Sequence, residues 1–175
     1  MPSDYNNHII KTERLVLRPL VRTDAEDLHV FYSHPEAMRF MDSPPHTTLA
    51  QTKEKLAQEL SHSTFKWAIC LSEDTEEGGP AIGMVGYIGN PGIPGMGYYL
   101  HPDYWQQGYM TEAVRATLAY GFSPSGMDLT QVELWINEKN IASQQLAHKI
   151  GFTRRGQFRM KYPHEASAHD KLVFV

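Results

Sequence analysis

The feature that most constrains this chain is a predicted β-strand that passes through a short loop, containing Gly108, into a long helix. The strand covers residues 96–101, and the helix has apolar residues at every fourth position from Val114 to Phe122. The first amide groups of a helix have no partners within it and the helix dipole is positive there, so such a junction binds anions. Gly108 lets a ligand approach the backbone, and Thr111 offers a hydroxyl as cap or phosphate donor. A tight turn before a capped helix explains the same residues without a ligand.

The remaining chain alternates hairpins with strand–helix–strand units. Residues 65–71 and 81–88 are predicted to be strands joined by a turn, which makes them a hairpin. Asp24 and Asn140 are predicted to be the N-caps of two helices, because their short side chains accept hydrogen bonds from the first turn. This order of elements predicts an α+β protein with a mixed sheet flanked by helices.

Length and composition narrow the class of protein. A chain of 175 residues with 41% hydrophobic content is predicted to be one domain, residues 1–175, that buries about 70% of its unfolded surface. No apolar run approaches the roughly 18 residues of a membrane span, and the first twenty residues lack the apolar core of a secretory signal. Cys70 is the single cysteine, so we expect a reducing, cytoplasmic location. Sixteen basic against twenty acidic residues, a net charge of −4, argue against a nucleic-acid partner.

No metal site is predicted. His164 and His169 are separated by one residue too many to share the i, i+4 face of a zinc-protease helix. Cys70 lies within an apolar strand and is typical of a core residue.

Three segments carry a resemblance to a known family. They are residues 12–20 (TERLVLRPL), residues 102–113 (PDYWQQGYMTEA) and residues 140–152 (NIASQQLAHKIGF). In this order and spacing they resemble the GNAT superfamily of acyl-CoA-dependent N-acyltransferases. The closest branch is the RimJ/RimL type, which includes ribosomal-protein N-terminal acetyltransferases. The similarity extends from Thr12 to Gly156, nearly the whole chain.

The resemblance implies a GNAT-like sheet of about seven strands, mixed and mostly antiparallel, split between the strands that end near Leu100 and Ile136. Acetyl-CoA would lie in that cleft as cosubstrate, with its pantetheine along residues 98–100 and its pyrophosphate on the backbone amides of residues 106–111. The cofactor-binding residues implied in this way are Tyr98, Tyr99, Leu100, His101, Gln106, Gln107, Gly108, Tyr109, Met110, Thr111, Asn140 and Ser143.

The same resemblance implies that Ser143 and Glu133 are the catalytic residues. A hydroxyl at Ser143 would protonate the leaving thiolate; a serine bonded within the first turn of its helix is the alternative. Glu133, on the second cleft strand, would assist deprotonation of the amine; a solvated carboxylate is the alternative, and His101 is a weaker candidate base. The chain departs from the family at Met110, where a small residue is usual, and at Gly95-Met96, where many relatives carry an acidic residue.

The resemblance therefore implies an N-acetyltransferase in which an amine attacks the acetyl carbonyl directly in a ternary complex. The acceptor is a protein N-terminus, a small-molecule amine or an amino acid, bound by the first helix pair and residues 160–170. Two other functions remain open: a catalytically silent acyl-CoA-binding module, and a domain that binds a peptide in the cleft. Neither a membrane nor a nucleic acid is expected as a partner, and the sequence does not indicate the oligomeric state.

Overall fold

A computed structural model of the chain describes residues 8–61, 65–73, 78–89 and 93–175. Within these ranges the strands are β1 (Ile10–Lys11), β2 (Leu15–Pro19), β3 (Lys66–Leu71), β4 (Gly83–Ile88), β5 (Gly95–Leu100), β6 (Leu134–Asn137), β7 (Arg154–Met160) and β8 (His169–Phe174). The helices are α1 (Ala25–Ser33), α2 (Pro35–Met38), α3 (Leu49–Ser61), α4 (Tyr109–Phe122) and α5 (Ile141–Ile150).

The strands form two antiparallel sheets that meet at one point. The first has the order β1-β2-β3-β4-β5 and the second the order β6-β8-β7. A parallel bridge joins Gly95 to Glu133, where the Met96 amide donates to the Glu133 carbonyl at 2.9 Å and the Glu133 amide donates to the Pro94 carbonyl at 3.0 Å. Beyond this bridge β5 and β6 separate. The predicted mostly antiparallel, split sheet is confirmed, with the two-residue β1 added to the strands that were expected.

Two apolar clusters cover the faces of the first sheet. Leu17, Ile69 and Val85 belong to the cluster on the α4 side, and Ala68 and Met84 to the cluster on the side of α1 to α3. Side chains alternate between the two faces of a strand, so successive residues of β5 pack in turn into the two apolar clusters. The edge strand β5 is thus held from both sides, which fixes the wall of the gap between the sheets.

The buried face of α4 differs from the predicted stripe. Val114 and Thr117 are buried as expected, but Phe122 is 44% exposed and Gly121 is buried in its place. At about 100° per residue, a side chain eight positions after Val114 lies about 80° away from it, off the core face. The Tyr87 hydroxyl donates to the Thr117 carbonyl at 2.8 Å beside Gly121, where a larger residue would not fit.

Asp24 stands at the N-cap position of α1 as predicted, but without the expected cap hydrogen bond. Its side chain makes no cap bond; it accepts bonds from Arg18 Nη1 at 3.0 Å and Arg18 Nη2 at 2.6 Å and from the Val21 amide at 2.8 Å. Leaving a half-buried guanidinium without a counter-ion costs more free energy than leaving a helix without a side-chain cap. The Asp24 carboxylate therefore pairs with Arg18, which links α1 to β2. The Asn140 cap is confirmed, because Asn140 Oδ1 accepts from the Ser143 amide at 3.1 Å.

Candidate active site

A cavity of about 1730 Å³ fills the gap between the sheets. We divide its lining into two parts. The α4 half consists of Tyr98, Gln106, Gly108, Tyr109, Met110, Thr111, Asn140 and Ser143. The α3 half consists of Asp42, Lys55, Glu59, Lys66, Trp135, Tyr162 and Lys171.

One wall of the α4 half is the unpaired edge of β5. Gly97 and Tyr99 face Gly86 and Met84 in the ladder with β4. The Met96 amide points the other way, to Glu133. Backbone groups of alternate residues in a strand point to the same side, so the amide and carbonyl of Tyr98 point into the gap, where β6 has already separated. An extended amide-containing ligand fits this edge as a short additional strand.

The loop between β5 and α4 forms an anion cradle. Gln106 and Gly108 have φ values of 60° and 85°, a left-handed conformation that turns successive amides toward one side. The Trp105 indole donates to the Leu100 carbonyl at 2.8 Å, which holds this loop against the end of β5. Because the unpaired amides of the first turn of α4 point the same way, the junction is suited to a phosphate or pyrophosphate.

An N-terminal brace (Thr12, Arg14 and Glu112) holds this cradle. One Glu112 oxygen accepts from Thr12 Oγ1 at 2.7 Å and from the Arg14 amide at 2.9 Å, and the other accepts from Arg14 Nε at 2.8 Å. Arg14 also donates to the Gln107 carbonyl at 3.0 Å and lies over the Tyr109 ring. The sequence prediction missed this brace, because two segments almost a hundred residues apart must meet to form it.

Ser143 and Tyr98 bring two hydroxyls together across the cavity. The Ser143 amide donates to Asn140 Oδ1 at 3.1 Å, and Ser143 lines the cavity beside Tyr98. The Tyr98 hydroxyl is buried without a hydrogen-bond partner among the described residues. Burial raises the pKa of Tyr98 to about 12, and the adjacent Ser143 hydroxyl acts in the opposite direction. The Tyr98 hydroxyl therefore remains protonated at neutral pH and can donate to a ligand atom, as can the hydroxyl of Ser143.

The α3 half is built from charged and aromatic side chains. Lys55 Nζ lies 3.1 Å from Asp42 Oδ2, and Lys66 Nζ lies 3.1 Å from Glu59 Oε2. Lys171 is only 5% exposed, and its ammonium lies 5.0 Å from the centre of a tyrosine ring on the same wall. This half lacks a backbone cradle and presents paired charges together with one lysine whose partner is an aromatic ring.

Most of the predicted site residues line the cavity: Tyr98, Tyr99, Leu100, Gln106, Gly108, Tyr109, Met110, Thr111, Asn140 and Ser143. Three others lie outside its lining. His101 Nδ1 accepts from the Asp103 amide at 3.1 Å, and the Gln107 side chain donates to the Asp103 carbonyl at 2.8 Å. Glu133 accepts from the indole of Trp135 at 3.0 Å beside the bridge that closes the gap. The structure therefore does not bring these three side chains to the site.

Two searches of the described residues bear on other kinds of site. In that part of the chain, no group of three or more His, Cys, Asp or Glu side chains is placed to hold a metal ion. Across the same residues, no helix is both long enough and apolar enough to cross a membrane.

Comparison with known proteins gives concordant matches. The model of the acetyltransferase (GNAT) domain matches residues 14–153. The chain is 28% identical over 155 residues to the uncharacterized N-acetyltransferase p20 of Bacillus licheniformis, covering 85% of this chain and 84% of that relative. It is also 28% identical over 172 residues to the uncharacterized N-acetyltransferase YoaA of Bacillus subtilis, covering 95% of this chain and 94% of YoaA.

Solved structures share the fold. A GNAT-family acetyltransferase from Bacillus anthracis superposes with a TM-score of 0.82 at 24% identity, covering 95% of this chain and 96% of that one. A protein from Vibrio cholerae, assigned as a ribosomal-protein-serine acetyltransferase, superposes with a TM-score of 0.76 at 20% identity, covering 97% of each chain.

Proposed function

Because the chain belongs to the GNAT family of N-acetyltransferases, we propose that it transfers the acetyl group of acetyl-CoA to a primary amine by direct attack within a ternary complex. One observation carries this proposal: a single cavity has two different halves. The α4 half contains an anion cradle and a free strand edge, and the α3 half is lined by side chains. The α4 half takes the cosubstrate and the α3 half takes the acceptor.

The α4 half suits acetyl-CoA in each part of its length. The left-handed Gly108 and the first turn of α4 bind the pyrophosphate through backbone amides. The outward amide and carbonyl of Tyr98 pair with the pantetheine amides, as a neighbouring strand would. The cosubstrate supplies an acetyl group activated as a thioester, and the protein orients it toward the α3 half.

Ser143 acts on the leaving group in this proposal. Its hydroxyl donates a proton or a hydrogen bond to the sulfur as the thiolate departs, and the buried Tyr98 hydroxyl beside it supplies a second donor. A donor aimed where negative charge develops lowers the barrier more than it strengthens ground-state binding. Glu133 is not assigned as the base, because its carboxylate is bonded to Trp135 outside the cavity lining. The amine attacks the acetyl carbonyl in its neutral form; as the C–N bond forms and the C–S bond breaks, the proton lost from the nitrogen passes to the thiolate, with the Ser143 hydroxyl as the relay.

An acetyl-transfer screen tests the proposal. Release of CoA is measured with saturating acetyl-CoA and a panel of peptides, polyamines and amino acids; the peptides represent the acceptor class named for the Vibrio cholerae protein. We expect CoA release that depends on one class of primary amine and yields the N-acetyl product by mass spectrometry. Tight binding of acetyl-CoA with no transfer to any amine would instead indicate an acyl-CoA-binding module.

A further inference from the structure

Lys171 is a buried cation that faces the cavity without an anionic partner. It lies on β8, opposite Asn137 of β6 and Phe158 of β7, and belongs to the lining of the α3 half. Among the residues that the structure describes, no carboxylate oxygen lies within salt-bridge distance of its ammonium, and it donates no hydrogen bond. Its ammonium lies instead over the face of the Tyr162 ring, 5.0 Å from the ring centre.

The other two lysines of this half are paired, which makes Lys171 distinct. Lys55 lies 3.1 Å from Asp42 and Lys66 lies 3.1 Å from Glu59. Among the described residues, Lys171 is therefore the lysine of the α3 half that has no carboxylate at salt-bridge distance, and its charge is available to an anionic ligand.

A buried ammonium without an anion is unfavourable. Burial lowers the pKa of Lys171, while Glu165 and Asp42 act in the opposite direction from a distance. The tyrosine face replaces only part of the lost hydration, since a cation–π contact is weaker than a full hydration shell. A ligand that brings its own anionic group to this position would remove the penalty, and a charge-assisted hydrogen bond to it would be strong.

We propose that the acceptor is a small amine that also carries a carboxylate, and that Lys171 binds that carboxylate while the amine points toward Ser143. This inference rests on the proposed acetyl transfer and specifies its substrate class: an amino acid or a closely related amino carboxylate. With the carboxylate held on β8, the amine is directed across the cavity to β5, where Tyr98 and Ser143 lie beside each other.

The test uses matched acceptors and matched variants. Leucine is compared with 3-methylbutylamine, and 4-aminobutyrate with propylamine; in each pair the second compound lacks only the carboxylate. We expect wild-type protein to prefer the carboxylate-bearing member of at least one pair by about tenfold or more in kcat/KM. Lys171→Met should remove that preference mainly through KM, because the lost contact exists before the reaction begins.

Two further variants separate this role from others. Lys171→Arg keeps a cation that binds carboxylates but cannot act as a base, so it should retain the preference within a few-fold. Lys66→Met removes a buried lysine from the opposite wall and should change both members of a pair alike. Loss of the preference in Lys171→Arg, or equal loss toward both acceptors in Lys171→Met, would overturn the inference. Transfer only to amines and peptides without a carboxylate near the amine would also overturn it, while leaving the acetyltransferase proposal intact.

Calorimetry with CoA present covers the case in which no acceptor is acetylated. Leucine or 4-aminobutyrate should bind to wild-type protein, and about tenfold more weakly to Lys171→Met. Such binding without turnover would support the carboxylate site and contradict acetyl transfer. An absence of binding by every amino carboxylate tested would contradict the carboxylate site.

Discussion

The α4 half of the cavity offers a ligand mainly backbone groups, whereas the α3 half offers side chains. In the α4 half the contacts come from the free edge of β5, from two left-handed residues and from the first turn of a helix. In the α3 half they come from Asp42, Lys55, Glu59, Lys66 and Lys171, contributed by a loop, a helix and strands of both sheets. The two halves meet at Ser143.

This difference determines what each half can tolerate during evolution. A backbone cradle needs only a few residue types, such as a glycine at a positive φ and a capped helix start, so its sequence is short and contiguous. A side-chain pocket can exchange every charge while the fold remains. We therefore expect cosubstrate binding to be common to relatives of this chain and acceptor choice to vary among them.

Replacing the residue where the halves meet should have the largest effect. If Ser143 assists the departing thiolate, Ser143→Ala lowers kcat by about 10²–10⁴-fold, the usual contribution of general acid catalysis. The lower end is expected, since a thiol of pKa about 8.5 is already a fair leaving group. The KM for acetyl-CoA should change little, and Ser143→Thr, which keeps the hydroxyl, should retain most of the rate. An unchanged kcat for Ser143→Ala on the best acceptor would assign Ser143 to helix packing alone.

The same contrast explains what the sequence revealed. The family, the split sheet and the cradle around Gly108 were predicted, because each depends on neighbouring residues with fixed backbone roles. The cap hydrogen bond expected from the Asp24 side chain is absent, and the catalytic role of Glu133 stays a prediction; in each case a residue close in sequence bonds the carboxylate. Arg18 takes the Asp24 carboxylate away from its helix, and the side chain of Glu133 turns to Trp135.

The N-terminal brace and the charged lining of the α3 half were not identifiable from the sequence. Glu112 meets Thr12 and Arg14 only after the first strands pack beside α4, and Lys171 meets Tyr162 only after β8 has paired with β7. The prediction that the first helix pair and residues 160–170 bind the acceptor stays a prediction; Phe31 and Glu36 of the first region and Tyr162 of the second line the cavity.

Stabilisation of the folded protein by added ligands tests the α4 half without any mutation. Acetyl-CoA at 100 times its dissociation constant should add about 2.7 kcal/mol to the free energy of unfolding. For a chain of this length that corresponds to about 5–11 °C in Tm. Thermal unfolding should show this shift with acetyl-CoA and with CoA, and much less with ATP or NADH, which carry phosphates but no pantetheine. An equal shift with ATP would indicate that the α4 half is a general anion site and that β5 does not bind pantetheine.

Gly108→Val tests the cradle directly. A side chain at this φ of 85° is strained, and its Cβ would lie 3.3 Å from Arg14 Nη2 in the path of the phosphates. We expect acetyl-CoA affinity to fall at least about tenfold, or 1.4 kcal/mol, by calorimetry, with the fold retained. Gly156→Val is the matched control, because nothing lies within 4 Å of a Cβ at Gly156. Equal acetyl-CoA affinities in the two variants would mean that the loop at Gly108 does not bind the cosubstrate.

The smallest expected effect belongs to the N-terminal brace, and it should depend on pH. Burial disfavours ionisation of Glu112, but the hydrogen bonds from Thr12 and Arg14 outweigh it and hold the pKa of Glu112 below its usual value. A carboxyl with a lower pKa in the folded state contributes stability above its unfolded pKa of roughly 4.3, and that contribution is lost as pH falls through the folded pKa. The brace should therefore be fully stabilising at neutral pH and weaken progressively in acid.

Glu112→Gln should remove this contribution. Because Arg14 is partly exposed and its ion pair is screened, we expect a loss of about 1 kcal/mol at pH 7, or roughly 2–4 °C in Tm. The difference from wild type should shrink as pH falls below about 4, since the wild-type carboxyl is then protonated as well. Glu36→Gln is the control, because Glu36 pairs with Arg39 at 3.7 Å on an exposed surface and should change Tm little at any pH. A Glu112→Gln deficit that stayed constant from pH 7 to pH 3 would mean that the brace acts through packing and neutral hydrogen bonds, and the cradle would then depend on the shape of residue 112 more than on its charge.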